Sequence, residues 1–245
     1  MGDTFPGALR SSRELSLARP VGLVTWRPPT SVGSRDHTLT AIAAPHFIVD
    51  WLILTEETIS SQKASFRAAT LAKRDVMPAA ERQAAAETLA ARGLPIAVKP
   101  GAIVSGFMPM KTEINPLPLL RKIAGEGAKL ALPCIDGRGK PLIMRAYQFG
   151  DTFKSGQWGI REPMPEAPEV KPDILLVPLV CFDRSGQRIG YGAGYYDRTI
   201  AALRALKPVT TIGIAFAMQE IPQVPATERD ERLDFVLTEK EILRF

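Results

Sequence analysis

The residues of this chain best suited to chemistry are Gly190, Gly192 and Gly194, set at every second position between an apolar run, Ile174 to Val177, and a stretch with helical spacing, Tyr195 to Leu206. Glycines spaced this way remove alternate Cβ atoms, so backbone N–H groups can approach an anion closely. A helix that follows adds its unpaired amides and the positive end of its dipole. Strand, glycine loop and helix together are phosphate-binding architecture. Gly-x-Gly-x-Gly matches neither the dinucleotide fingerprint nor the Walker A loop, however, and the same spacing also serves tight turns and close packing. A second candidate is the pair Lys63 and Arg67, four residues apart and therefore on one helix face. Such a pair is either a solvated cationic face or a clamp on phosphates.

Composition narrows the chemistry further. The chain has 245 residues, 45% of them hydrophobic and 23% charged, enough for one α/β domain with something added. No apolar run approaches the ~20 residues that a membrane helix needs, so no membrane contact is expected. A formal charge of +5 favours polyanionic partners, but without a Lys/Arg block nucleic acid is not expected. Cys134 and Cys181, the only cysteines, sit in apolar contexts and read as reduced core thiols of a cytoplasmic protein rather than a disulfide or a zinc site. Both histidines, His37 and His46, lie in the first fifty residues. An imidazole base, nucleophile or metal ligand is therefore not expected in the body of the chain.

The elements that must position these residues follow from punctuation and periodicity. Residues 1–55, with Pro20, Pro28, Pro29 and Pro45, read as an irregular, poorly ordered extension, in which the apolar run 47–54 is a strand or a docking patch. Ser60 or Ser61 caps a helix to about Asp75, and Pro78 with Glu81 opens a second helix that stops at Gly93. Short apolar strands then alternate with helices: 102–107, a helix over 116–125, 130–132, 142–147, 174–177, the helix after Gly194, 209–216 and 235–237. That alternation predicts an α/β fold over residues 56–245, a single Rossmann-like three-layer domain with a mainly parallel sheet. The span from Phe149 to Lys171, rich in Pro, Gly and acids, reads as a long connection within it.

With the elements placed, five blocks can be set in order. They are Lys63-x-x-x-Arg67; Phe107-Met-Pro-Met-Lys-Thr-Glu113-Ile; Gln157-Trp-Gly-Ile-Arg-Glu-Pro163; Phe182-Asp followed by Gly190-x-Gly-x-Gly-Tyr-Tyr-Asp197-Arg; and Asp230-Glu-Arg-Leu-Asp234. In order and spacing they resemble the 5-formyltetrahydrofolate cyclo-ligase family, from about residue 60 to 245. The resemblance implies an ATP- and Mg²⁺-dependent ring closure of 5-formyltetrahydrofolate to 5,10-methenyltetrahydrofolate, through phosphorylation of the formyl oxygen. It implies small-molecule substrates only, and a monomer is expected.

Roles carried over with the resemblance stay expectations. Lys63, Arg67 and Tyr195 are expected to act in catalysis. Arg188 and the loop Gly190, Tyr191, Gly192, Ala193, Gly194, Tyr195 and Tyr196 are expected to join Lys63 and Arg67 around ATP. Glu113 is expected to hold the pterin edge of the folate, between walls formed by Phe107, Met108, Met110, Trp158, Tyr195 and Tyr196. Asp197 and Asp230 are expected as Mg²⁺ carboxylates, and Arg145 as a partner for the folate's glutamate tail. One departure stands out: many members carry Arg and Lys in the glycine loop where this chain has Tyr191 and Ala193, so Arg188 or Lys111 is expected to replace them. Two other readings remain open from the residues: a sugar-phosphate isomerase or CoA-transferase-like enzyme on a related fold, and a basic nucleotide- or RNA-binding module.

Overall fold

A computed structural model of the chain describes the backbone from His46 and the side chains from Glu56, in both cases to Phe245. The first helix, α1 (His46–Asp75), is followed by α2 (Ala79–Arg92), β1 (Ile103–Ser105), α3 (Leu117–Gly125), β2 (Lys129–Cys134) and β3 (Ile143–Tyr147). The chain continues through β4 (Phe153–Ser155), β5 (Arg161–Pro163), β6 (Ile174–Pro178), β7 (Cys181–Phe182), β8 (Arg188–Ile189) and α4 (Tyr195–Arg204). It ends with β9 (Thr210–Ile214), β10 (Phe235–Leu237) and β11 (Ile242–Arg244).

Seven strands form one sheet in the order β11-β10-β9-β6-β1-β2-β3. The five inner strands are parallel, whereas β3 pairs antiparallel to β2 and β11 antiparallel to β10. This is the expected α/β fold with a mainly parallel sheet. Alternation along each strand assigns the two faces: on β6, Ile174 and Leu176 pack with α2 and α3, while Leu175 and Val177 pack with α4. Leu119, Leu120 and Ile123 of α3 are at most 1% exposed, and burial of each such side chain stabilises by about 1.5–3 kcal/mol. The helix α2 ends where expected, at Gly93, whose φ of 79° lets its N–H return to Leu89 O at 3.0 Å.

The chain lays β1, β2 and β3 to one side of the sheet, then returns to place β6, β9, β10 and β11 on the other. Strands β1 and β6 are therefore neighbours whose connections diverge, and such a switch point leaves a crevice beyond their carboxyl ends. The loops after β1 and β6 carry the Phe107–Glu113 and Gly190–Gly194 blocks to that crevice.

Three expectations differ from what is observed. The helix carrying Lys63 does not start at a serine cap: α1 begins at His46, so residues 46–55, read as irregular, are helical, and Ser60 and Ser61 lie in its interior. A short apolar run such as 47–54 does not distinguish strand from helix by period. The expected extension over residues 1–45 lies outside the described residues. The connection from Phe149 to Lys171 contains a hairpin, β4 with β5, tied down by the buried carboxylate of Glu162, which accepts from Ile135 N at 3.1 Å and pairs with Lys154 at 3.3 Å. A second hairpin, β7 with β8, precedes the glycine loop.

Candidate active site

A cavity of about 940 Å³ lies at the crevice beyond β1, β2 and β6. Its lining brings together the site residues expected from the sequence except Arg145: Lys63 and Arg67 from α1, Phe107, Met108, Met110 and Glu113 after β1, Trp158 from the β4–β5 hairpin, and Arg188 to Asp197 with Asp230.

The loop after β8 is shaped by glycine. Gly192 and Gly194 have φ of 101° and 65°, backbone that an L side chain rarely adopts. A Cβ at Gly192 would also meet Arg67 Nη2 at 3.4 Å, so the guanidinium lies close above the loop. Arg67 Nε donates to Gly190 O at 2.8 Å, and Arg198 Nη2 donates to Ala193 O at 2.6 Å. Two helix-borne cations thus bracket the loop where loop-borne ones are missing. Arg188, one of the expected replacements, is buried instead: it bonds Glu231 O through Nη1 and Asp197 Oδ1 at 2.8 Å through Nη2. Lys111, the other, lines the cavity from a strained backbone with φ of 51°.

The aspartates are each engaged by a cation. Asp230 Oδ2 accepts from Lys63 Nζ at 2.5 Å and from Thr227 N and Oγ1 at 2.7 and 2.9 Å. Asp197 Oδ1 accepts from Arg188 and from Glu231 N at 3.2 Å. Asp197 Oδ2 and Asp230 Oδ1 accept no hydrogen bond among the described residues, so each carboxylate keeps one oxygen for another partner. Among the described residues no three His, Cys, Asp or Glu side chains are grouped to enclose a metal ion. Carboxylate oxygens are hard donors of the type that Mg²⁺ takes together with water and phosphate oxygens, and two of them do not make an all-protein cage.

The other end of the cavity is built around Glu113. Its Oε2 accepts from Met110 N at 2.7 Å, and the residue is 9% exposed. Burial pushes its pKa above the usual carboxylate value, while the Met110 amide, the Tyr191 hydroxyl and the Arg74 guanidinium pull against that shift. Phe107 and Met108 are buried beside it. Trp158 is 67% exposed, sits in left-handed backbone (φ 57°, ψ 20°) and meets the Tyr195 ring edge-on at 6.4 Å between centroids. Tyr196 lines the same cavity: burial raises its pKa, and its hydroxyl has no hydrogen-bond partner among the described residues.

Arg145 is not part of this wall. Its guanidinium donates to Pro165 O and Ala167 O, both at 2.7 Å, and pairs with Glu169 at 3.1 Å, fastening the connection that leads to β6. Sequence reasoning missed Arg74, 1% exposed, whose Nη2 donates to Tyr191 Oη at 2.7 Å. The signal was present: 63, 67, 70 and 74 follow the spacing of one helix face.

Several known proteins are similar to this chain. A curated 5-formyltetrahydrofolate cyclo-ligase of Mycolicibacterium smegmatis is 34% identical over 188 residues, covering 73% of this chain and 94% of the relative. The Escherichia coli K12 protein of the same name is 30% identical over 145 residues, 57% of this chain and 79% of that protein. Among solved structures, the 5,10-methenyltetrahydrofolate synthetase of Aquifex aeolicus superposes with a TM-score of 0.63 at 28% identity, covering 74% of this chain and 92% of that one. The sequence profile of the 5-formyltetrahydrofolate cyclo-ligase family matches residues 59–239, a range that contains all five blocks. The chain is an enzyme of the ligase class and belongs to the 5-formyltetrahydrofolate cyclo-ligase family.

Proposed function

We propose that this chain cyclises 5-formyltetrahydrofolate to 5,10-methenyltetrahydrofolate with ATP and Mg²⁺, releasing ADP and phosphate. The observation that carries the reading is that one cavity is lined at once by the glycine loop with Lys63 and Arg67 and by Glu113 with Phe107, Met108, Met110 and Trp158. Its volume of about 940 Å³ lies at the top of the range for ligand pockets, ~300–1,000 Å³, and suits two ligands in contact.

The chemistry requires that contact. A formyl oxygen bound to an amide-like carbon is a poor leaving group, so N10 cannot displace it directly. In the proposed route the formyl oxygen attacks the γ-phosphorus and the bond to ADP breaks. The N10 lone pair then forms the new C–N bond, the N10 proton is lost, and phosphate departs with the former formyl oxygen.

Lys63, Arg67, the loop amides from Gly190 to Gly194 and the N-terminus of α4 would hold the phosphates and offset developing charge. Tyr195 and Tyr196 would form the wall between nucleotide and folate, with the Tyr196 hydroxyl free to bond a ligand. Ionised Glu113 would accept two parallel hydrogen bonds from the amino-pyrimidinone edge of the pterin. Phe107, Met108, Met110 and Trp158 would exclude water, which would otherwise hydrolyse the activated formyl group. Asp197 and Asp230 would hold Mg²⁺, which when bound neutralises phosphate charge.

Free, buried Cys134 and Cys181 suit the reducing cytoplasm. The test is to mix the protein with 5-formyltetrahydrofolate and MgATP and follow the near-ultraviolet absorbance of the methenyl product. A rise matched by ADP release is expected, and no rise at high enzyme concentration would refute the reading.

A further inference from the structure

We propose that Tyr191 is a positioning residue that ties the glycine loop to Glu113, with Arg74 as its anchor, so that nucleotide on the loop and folate on Glu113 each tighten the other's binding. The inference rests on the function proposed above and goes beyond it, because it assigns a role to the residue that replaces a loop cation.

The geometry is specific. Arg74 is 1% exposed and held by two hydrogen bonds: Nε donates to Thr112 Oγ1 at 3.2 Å, which in turn donates to Asp75 Oδ1 at 2.5 Å, and Nη2 donates to Tyr191 Oη at 2.7 Å. Its guanidinium carbon also lies 5.9 Å from the centroid of the Tyr191 ring. A guanidinium only donates, so the Tyr191 hydroxyl must accept from it, which leaves the phenol proton for an acceptor. Glu113 lines the same cavity as Tyr191 and, together with Arg74, a second and smaller void, which makes its carboxylate the acidic acceptor within this group. Arg74 therefore supports the negative charge of Glu113 through a neutral phenol rather than by a direct ion pair, and the carboxylate remains free to bind substrate.

Coupling follows from where Tyr191 sits. It lies between Gly190 and Gly192, in a loop whose carbonyls at 190 and 193 are held by Arg67 and Arg198. Phosphates that order the loop amides also order Tyr191, and an ordered Tyr191 holds Glu113 in its binding orientation. Folate that engages Glu113 does the reverse, since a coupling free energy is reciprocal.

The test is calorimetric titration of 5-formyltetrahydrofolate into the wild-type protein, Tyr191→Phe and Arg74→Met, each with and without a saturating non-hydrolysable ATP analogue and Mg²⁺. Wild-type folate affinity is expected to rise about fivefold or more with nucleotide. Tyr191→Phe, which removes one hydroxyl, should lose about tenfold in folate affinity, bring the coupling to about one, and keep nucleotide affinity within about twofold. Arg74→Met retains the hydroxyl, removes the donor that anchors it, and should also abolish the coupling; thermal unfolding checks that both variants fold. A wild-type coupling near one, a folded variant that keeps the wild-type coupling, or equal loss of both ligands would overturn the inference. If the wild-type protein forms no methenylfolate, the function itself fails; if it does and Tyr191→Phe keeps its coupling, only the role of Tyr191 fails.

Discussion

Lys63 Nζ stands 2.5 Å from Asp230 Oδ2, joining residues 167 positions apart across the mouth of the cavity. Each side chain is 17% exposed. Burial works against the charge on Asp230, but the hydrogen bonds from Lys63 and Thr227 together outweigh it and hold its pKa below the ordinary 3.8. The cation expected on phosphate and a carboxylate expected on Mg²⁺ are thus one ion pair, and a triphosphate must share Lys63 with Asp230.

Lys63→Ala should therefore raise the KM for ATP about 10- to 100-fold, the loss of a charge-assisted hydrogen bond, and leave the folate dissociation constant within about twofold. The variant should also unfold more easily by about 1–2 kcal/mol, because Asp230 loses its counter-charge in a half-buried wall. Steady-state kinetics with each substrate varied, and a denaturant titration, measure the two effects separately.

The pH dependence of folate binding is set at Glu113. Burial first, then the opposing Met110 amide, Tyr191 hydroxyl and Arg74 charge, leave its pKa above the ordinary 4.5. The groups facing it are Arg74 from α1, Tyr191 from the loop and Tyr196 from α4. If the ionised form binds the pterin, affinity is full above the raised pKa and falls as pH drops through it, so the acid limb lies above 4.5. Glu113→Gln should abolish that limb and weaken folate more than tenfold, and Arg74→Met should move the limb upward. For stability the sign is opposite: ionising a buried Glu113 costs free energy, so its contribution is lost as pH rises from 4.5 through the folded value.

Trp158 sets function against stability. Its φ of 57° is strained for a bulky residue, and 67% of its surface is exposed. Trp158→Gly should stabilise the fold by about 1 kcal/mol, or ~3 °C in Tm. It should also raise the KM for folate about fivefold, through loss of an aromatic wall. Calorimetry and kinetics on the same sample test the opposition.

Gly213 gives a purely structural contrast. A Cβ there would lie 2.7 Å from Leu233 Cδ1 and 2.8 Å from Leu179 Cδ2, in the tightly packed face between β9 and α4. Gly213→Ala should destabilise by about 1–3 kcal/mol while leaving kcat and both KM values unchanged at a temperature where the variant is folded.

Much of this site can be read from the residues. Helical spacing puts Lys63 and Arg67 on one face, and glycine at 190, 192 and 194 marks the loop they cover. Regular alternation after Gly93 gives the parallel sheet. The parts that stayed hidden have physical reasons. The β4 and β5 strands are three residues each, too short for a period, and their pairing depends on a buried Glu162 that reads as an ordinary surface acid. Arg188 looks like a free cation beside the loop, but its ion pair with Asp197 is visible only in three dimensions. Arg74 extends the face of Lys63 and Arg67, yet nothing local indicates that it would be buried against a tyrosine 117 residues away.

The most direct test of the account follows one atom. Enzyme, MgATP and 5-formyltetrahydrofolate labelled with ¹⁸O in the formyl group are allowed to react, and the released phosphate is analysed by mass spectrometry. Transfer of the γ-phosphoryl group to the formyl oxygen predicts one ¹⁸O atom in each phosphate. Unlabelled phosphate, with the label in water, would contradict it.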